Sequence, residues 1–520
     1  MDDPVPVPSP APGSGPAATP YGAYPEPGRR ALITLGVVLT TLMTSIDGTI
    51  ANAVLPQIRS SVSASQDEIL WMLTSFILAS TLVTPAIGWL EQSFGRRNLL
   101  LCALVGFTVA SVLCGIATSI VEMVIFRVLQ GATAAVFIPL SQAILLDINP
   151  PKDHARAMSV WGMGAVLGPI IGPILGGWLT DNLDWRWVFF INIPIAAIGF
   201  LVLAATLPKR AKRTRPRFDA FGFISLTICL VGLQMLVDRG PSAEWFSSVE
   251  IWFYVAIALL GGHVFFVHIF TSERPIIHPS ILADRNYLLG ACMILLIGVL
   301  MFAGMAVLPT MMQALLGYPV LTAGLAQATR GVGTFVSMFL VGRLSGKVDN
   351  RIIIFVGISL TGLSYWQMSG FSLDMDETPI LISGLFQGLG LGLVFIPLMS
   401  IAFTTIQPQL RTEAASFFTL IRNIGSSFGI SMVGVLQIYN TRVVSSRLAE
   451  QVTPDNQNVV ADLPPGLDLA TAQGQAMMHG MVERQAAMVA YVDTFHMLFI
   501  MSLVILPILF LLRTKRASNA

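Results

Sequence analysis

The sequence predicts an all-α membrane protein of fourteen transmembrane helices: two six-helix parallel repeats plus two inserted transmembrane helices. Three observations carry this expectation. The 520 residues are 54% hydrophobic and only 11% charged, against about 25% charged in a soluble domain. The apolar residues fall in blocks of about 20, the length that spans a bilayer. Short motifs from the first half recur in the second at a near-constant offset.

The chain opens with nine prolines in 28 residues. Such a stretch cannot bury a core, so 1–30 reads as a disordered cytoplasmic tail. Apolar blocks follow at 31–55, 69–90, 98–118, 121–147, 157–180 and 187–207, a six-helix bundle over 31–207. Blocks at 218–238 and 250–270 lie in the segment 208–285, read as the inserted pair and its linkers. Blocks at 286–315, 320–345, 351–371, 379–404, 412–439 and 491–512 make the second bundle, 286–512, with a polar outer segment at 440–490 and a tail at 513–520. Arg29-Arg30 with Ala51-Asn52-Ala53 mimics a secretion signal, but the apolar run is too long and Asp47 interrupts it.

Lysine and arginine set the orientation. With the N-terminus inside, 21 of the 30 basic residues fall in cytoplasmic segments, six of them in the cluster Lys209–Arg217. Short outer loops hold only Arg59, Arg186 and Arg239. Both ends are therefore expected in the cytoplasm. Arg127, Arg330 and Arg422 remain inside apolar blocks.

The repeat is visible in several pairs. Gly88–Arg97 resembles Gly342–Arg351 at an offset of 254, and Val136–Leu140 recurs as Val394–Leu398 at 258. Gln130-Gly131 matches Gln387-Gly388, and Gly168/Gly172 match Gly425/Gly429, both at 257. Two like halves in one orientation are the organisation of major facilitator transporters.

Other functions are disfavoured. A net charge of +1 with scattered basic residues does not suit nucleic acid. Cys102, Cys114, Cys229 and Cys292 sit in apolar blocks without metal spacing or a disulfide framework. The nearest phosphate-type loop, Gly342–Val348, is one residue short and lacks the magnesium-binding hydroxyl. No His, Asp and Glu residues are spaced to hold a metal, so neither an enzyme nor a cofactor is expected.

Four motifs carry chemistry. The loop Gly88-Trp-Leu-Glu91-Gln-Ser-Phe-Gly95-Arg96-Arg97 offers a tight glycine turn and arginines able to pair with carboxylates or helix ends. Arg127 and Gln130 lie one turn apart on one helix face. An arginine at membrane depth costs about 3 kcal/mol or more without protein or water to face. It needs a partner, and Asp47 in the first helix is the best placed by type. A buried carboxyl favours its neutral form and a nearby guanidinium its charged form. Alternation between those surroundings would load and release a proton, whereas a static Asp–Arg or Asp–backbone bond would only pack. The fifth block reads Gly164-x3-Gly168-Pro169-x2-Gly172-Pro173-x2-Gly176-Gly177. Glycines four apart let another helix approach closely, and the prolines introduce bends. The expectation is a kinked helix across which two bundles rock.

These motifs resemble, in turn, the loop signature, the Arg-x-x-Gln-Gly motif and the antiporter motif of the major facilitator superfamily. Ile46–Pro56, Trp71–Phe76, Trp185–Pro194, Leu316–Tyr318, Arg330–Gly333 and Arg422–Ser426 resemble the fourteen-helix drug:proton antiporters of the EmrB/QacA type. The segment Ser445–Pro454 is similar to the EmrB branch. Departures are Gln92 at the usual loop Asp, Phe76 where Tyr is common, and Thr329 where Pro often precedes the arginine.

The resemblance implies proton-coupled export of hydrophobic or amphipathic compounds from a bacterial inner membrane, feeding a periplasmic EmrA-like adaptor and an outer-membrane channel. A dedicated metabolite or lipid exporter, or a nutrient importer, would share the fold. It assigns proton coupling to Asp47 and Arg127. Asn52, Trp71, Phe76, Gln130, Arg330, Gln387 and Arg422 would line the cavity. Gating falls to Gly164, Gly168, Pro169, Gly172, Pro173 and Gly176, and the loop motif to Gly88, Glu91, Gly95, Arg96 and Arg97.

Overall fold

A computed structural model describes residues 24–64, 66–150, 153–208, 217–240, 243–273, 275–344, 347–452 and 471–512. Fourteen long helices run through them. They are α1 (Pro27–Ala53), α2 (Gln66–Val83 and Ile87–Phe94), α3 (Arg96–Ile116) and α4 (Ile120–Ala134 and Phe137–Ile148). Next come α5 (His154–Asn182), α6 (Asn192–Thr206), α7 (Ala220–Arg239) and α8 (Val249–Thr271). The second half holds α9 (Arg285–Ala314), α10 (Val320–Leu344), α11 (Asn350–Met368), α12 (Thr378–Phe403), α13 (Arg411–Gln451) and α14 (Ala472–Leu511). Among the described residues there is no strand.

Local chemistry sets the boundaries. Ser119, Asp219, Ser248, Asp284, Asp349 and Thr471 each accept a backbone N–H of the first turn behind them, which satisfies donors that no helix can pair internally. Pro85 breaks α2 at a 3-10 turn, Thr84–Ala86. α4 breaks four residues before Pro139, whose missing N–H leaves the Ala135 carbonyl without its helical partner.

Twelve of the fourteen are long and apolar enough to cross a membrane; α10 and α11 fall short. The expected count of fourteen crossings thus rests on helix number, with apolarity supporting twelve. Both exceptions are diluted by small and polar residues, Arg330 and Thr334 in α10, Thr361 and Ser364 in α11, which lie buried against neighbouring helices.

Two expected boundaries change. α13 has 41 residues and α14 has 40, each about 60 Å long at 1.5 Å per residue, twice the roughly 30 Å hydrocarbon core. The outer segment expected at 440–490 as a polar connector is therefore helix at both ends, and its centre, 453–470, lies outside the described residues. The expected tail, 1–30, falls outside them up to residue 23, and its last four residues already belong to α1.

α1 packs on α5 and α6, and α4 on α2 and α3. Likewise α9 packs on α13, and α12 on α10 and α11. The halves meet most extensively along α5 and α10, where a Cβ on Gly331 would lie 2.0 Å from Ile170 and one on Gly162 2.8 Å from Met338. They meet again where the start of α13 abuts the second segments of α2 and α4. The pair α7–α8 sits outside this contact. Ser427 on α13 donates to Gln234 at 3.0 Å, Ser431 to the Val237 carbonyl at 2.7 Å, and Trp89 on α2 meets Phe218 at 4.6 Å between ring centres.

Candidate functional site

The deepest polar cluster of the N-terminal half centres on Asp47. Asp47, Gln130 and Asn192 are 0% exposed and Arg127 1%. Arg127 Nη1 donates to Asp47 Oδ2 at 2.8 Å and to Gln130 Oε1 at 2.8 Å. Gln130 Nε2 and Asn192 Nδ2 each donate to Asp47 Oδ1 at 2.9 Å. Asn192 also donates to Ser111, whose hydroxyl donates to the Phe189 carbonyl at 2.8 Å. The guanidinium lies between the rings of Phe76 and Phe189, 5.3 and 5.1 Å from their centres, an arrangement that stabilises a desolvated cation. Four helices, α1, α3, α4 and α6, thus converge on one carboxylate.

The glycine stripe of α5 supports this cluster from behind. A Cβ on Gly168 would lie 2.3 Å from Ser45 and 2.7 Å from the Ile46 nitrogen, and one on Gly172 2.3 Å from Thr49. Gly164 meets Val38 in the same way, and Gly176 is buried. The expectation that this stripe is the surface between the two bundles is corrected. It fits α5 to the helix bearing Asp47, within one half, while residues beside it, Gly162 and Ile170, reach across to α10. α5 runs as one unbroken helix; the side chains of Pro169 and Pro173 lie outside the described residues.

Other expected positions separate from this cluster. Gln130 lines no path here: it is sealed inside the N-terminal half. Trp71 is 40% exposed. The Asn52 side chain lies outside the described residues. Arg330, Gln387 and Arg422 stand in the C-terminal half. Arg330 Nη2 donates to the Met301 carbonyl at 3.0 Å and its Nη1 makes no hydrogen bond, while the Gln387 amide lies against the Tyr365 hydroxyl. Arg422 donates to Asn423 at 3.3 Å and lies 6.0 Å from the Phe395 ring, which stacks on Trp161 of the other half at 6.3 Å.

The loop motif forms a latch. Gly95 turns with φ of +79°, a conformation that favours glycine. Arg96 pairs with Glu91 and Asp147, and Arg411 on α13 reaches the same Asp147 at 3.2 Å. Arg96 also donates to Thr412 at 3.4 Å, and Gly88 lies against Glu413, so N- and C-terminal halves are tied. Glu91, one residue before the usual acidic position, takes the charged part that Gln92 cannot. Arg97 donates instead to the Ala204 carbonyl at 2.7 Å. Beside the latch, burial and then Arg411 lower the His154 pKa from its ordinary value of 6.5.

Sequence reasoning gave no role to Asn192, Ser111, Asp147 or Arg411. Each is a polar residue inside or at the edge of an apolar block, which was the available signal.

The model of the Major Facilitator Superfamily matches residues 37–430. The chain belongs to the major facilitator superfamily. Within it the chain is of the EmrB type: it is 32% identical to the multidrug export protein EmrB of Escherichia coli (strain K12), over 91% of this chain and 93% of that one. It is 33% identical to the fatty acid resistance protein FarB of Neisseria gonorrhoeae, over 82% and 84%. Among solved structures, the major facilitator proton:xylose symporter XylE shares the fold at a TM-score of 0.59 and 14% identity, over 91% of this chain and 95% of that one. A major facilitator chain is a multi-pass membrane protein, and the buried polar cluster at Asp47 lies inside one of its two bundles.

Proposed function

We propose that this protein is a proton-coupled antiporter that exports hydrophobic or amphipathic compounds. The observation that carries the reading is the Asp47 carboxylate, fully buried yet held by three donors. Those donors stabilise its charged form, while burial penalises it. Protonation would cancel the ion pair and leave Arg127 as an uncompensated cation, a state costing about 3 kcal/mol or more at membrane depth. The cluster is then driven to rearrange, and the close fit of α1 on Gly168 and Gly172 passes that movement to α5, the helix in contact with α10.

In this cycle the bundles at 31–207 and 286–512 rock about their contact, and the Arg96–Asp147–Arg411 latch holds the cytoplasmic end shut. The bias of basic residues supports an inner-membrane orientation with both termini inside. α10 and α11 complete the second bundle as spans because their polar residues face neighbouring helices. The names of the relatives, multidrug export and fatty acid resistance proteins, support lipophilic cargo. One proton moving through 100 mV releases about 2.3 kcal/mol, enough for a roughly fifty-fold gradient of a neutral solute. The extensions of α13 and α14 would present the outer surface to a periplasmic adaptor.

The reading is tested in proteoliposomes with an imposed pH difference and a panel of lipophilic compounds. Asp47→Asn is expected to abolish uphill transport while substrate binding persists. A mutant that still concentrates substrate would remove Asp47 from coupling. Deletion of 440–490 is expected to abolish adaptor capture; unchanged capture would end the segment's role.

A further inference from the structure

We infer that the C-terminal half holds a monoanion site, formed by Arg330 and Gln387 beside Tyr365, that receives the anionic head of an amphipathic substrate. The inference rests on the reading of the chain as an exporter, and it follows from a charge imbalance between the halves. Three arginines lie within the apolar bundles. Arg127 is neutralised by Asp47. Arg330 and Arg422 have no carboxylate within ion-pair distance among the described residues.

The internal repeat explains how this arises. Gln387 stands 257 residues after Gln130, and at the same offset Arg127 becomes Gly384; in the first helix Ala53–Pro56 recurs as Ala306–Pro309 at 253, where Asp47 becomes Leu300. The second half carries neither member of the ion pair at these positions and has the glutamine. At the loop-motif offset of 254, Arg330 takes the place of Phe76 and Tyr365 that of Ser111. A guanidinium thus stands in the second half with no acid beside it among the described residues. A Cβ on Gly304 would lie 2.5 Å from the Tyr365 hydroxyl and 2.7 Å from Gln387 Nε2, so these two groups meet against α9.

Arg330 is 6% exposed, Gln387 1% and Tyr365 0%. The Tyr365 O–H is spent on the Leu300 carbonyl at 2.5 Å. Arg330 Nη1 remains a donor without an acceptor, while the Gln387 amide lies against the Tyr365 hydroxyl. A buried donor left unpaired is costly, and a cation more so. A planar carboxylate accepts from Arg330 and supplies the missing charge, with the Gln387 amide beside it. The adjacent residue, Gly331, touches Ile170 of the other half, so Arg330 adjoins the boundary along which the bundles meet.

The same chemistry could come from a substrate carboxylate or from an inorganic anion, and the test separates them. Equilibrium binding of dodecanoate, dodecanol and dodecyltrimethylammonium would be measured on protein in nanodiscs, with empty nanodiscs as reference, in chloride and in gluconate buffer. The expected result is dodecanoate binding at least tenfold tighter than dodecanol. Arg330→Gln should erase that preference and leave dodecanol and the ammonium probe unaffected, and Arg330→Lys should restore part of it. Unchanged binding of the other two probes also shows that the variant is folded. If dodecanoate shows no preference but chloride over gluconate raises thermal stability only when Arg330 is present, the site is an anion site with an inorganic occupant, and its assignment to substrate is overturned. If neither anion depends on Arg330, the site itself is refuted. Loss of proton-driven transport with an intact Arg330-dependent preference would instead count against the coupling mechanism alone.

Discussion

The two halves of this transporter share a repeat and divide its chemistry. In the first, α1, α3, α4 and α6 close around a carboxylate with every oxygen occupied. In the second, the positions equivalent to Asp47 and Arg127 carry Leu300 and Gly384, and Arg330 stands without an acid among the described residues. Both keep the same scaffold: Gly168 and Gly172 fit α5 to α1, and Gly425 and Gly429 fit α13 to α9, where a Cβ would lie 2.1 Å from the Leu295 carbonyl and 2.7 Å from Val299. Duplication preserved the packing, and the polar contents diverged. One half holds a neutralised Asp47–Arg127 pair; the other offers uncompensated positive charge.

The comparison predicts unequal consequences of removing an arginine. Arg127→Ala strands a buried carboxylate and should cost about 3–5 kcal/mol, read as a large drop in thermal midpoint in detergent. Asp47→Asn combined with Arg127→Gln should recover much of it. Arg330→Ala removes a cation that has no acid to strand, so its midpoint should fall far less. Equal losses would erase the distinction between the halves.

The glycine stripes sharpen the contrast. Gly168→Ala and Gly425→Ala both press a methyl into backbone, and overpacking of this kind costs about 1–3 kcal/mol. Similar drops in stability are expected. Gly168→Ala alone should also disturb proton coupling, because only its neighbour helix carries a carboxylate, and the stoichiometry of proton release per substrate would report it.

The latch gives a smaller effect. Asp147→Asn removes the negative charge shared by Arg96 and Arg411 and one of its two acceptor oxygens. It should open the latched end, seen as faster labelling there of an engineered cysteine by a membrane-impermeant reagent, by about fivefold for a loss near 1 kcal/mol.

The smallest effect concerns pH. The latched form lowers the His154 pKa from 6.5. A depressed histidine stabilises the latched form while neutral; that contribution is present above about 6.5 and is lost as pH falls through the lowered value. Labelling should therefore rise on acidification, and His154→Gln should flatten the dependence.

Much of the fold was legible because bilayer-length apolar blocks and positive loops are composition signals. Asp47 and Arg127 were legible for a related reason: a charge within an apolar block is expensive, so two such charges invite pairing. Asn192 and Ser111 were not. Neutral polar residues are tolerated in membrane helices, and their partners lie 145 and 78 residues away in sequence, which no periodicity reveals. The glycine stripe was legible as a close contact, but not its partner, since spacing shows that a helix approaches without showing which. The loop's acid, Glu91, was legible in the motif, but not its partner: only the turn at Gly95 determines that Arg96 meets it.

The most direct test is proton release on substrate binding, followed with a pH-sensitive dye in weakly buffered detergent solution. Addition of a transported lipophilic compound should release protons from the wild type and none from Asp47→Asn, with both proteins binding the compound. Undiminished release from Asp47→Asn would place the exchanging proton elsewhere and contradict the division of labour between the halves.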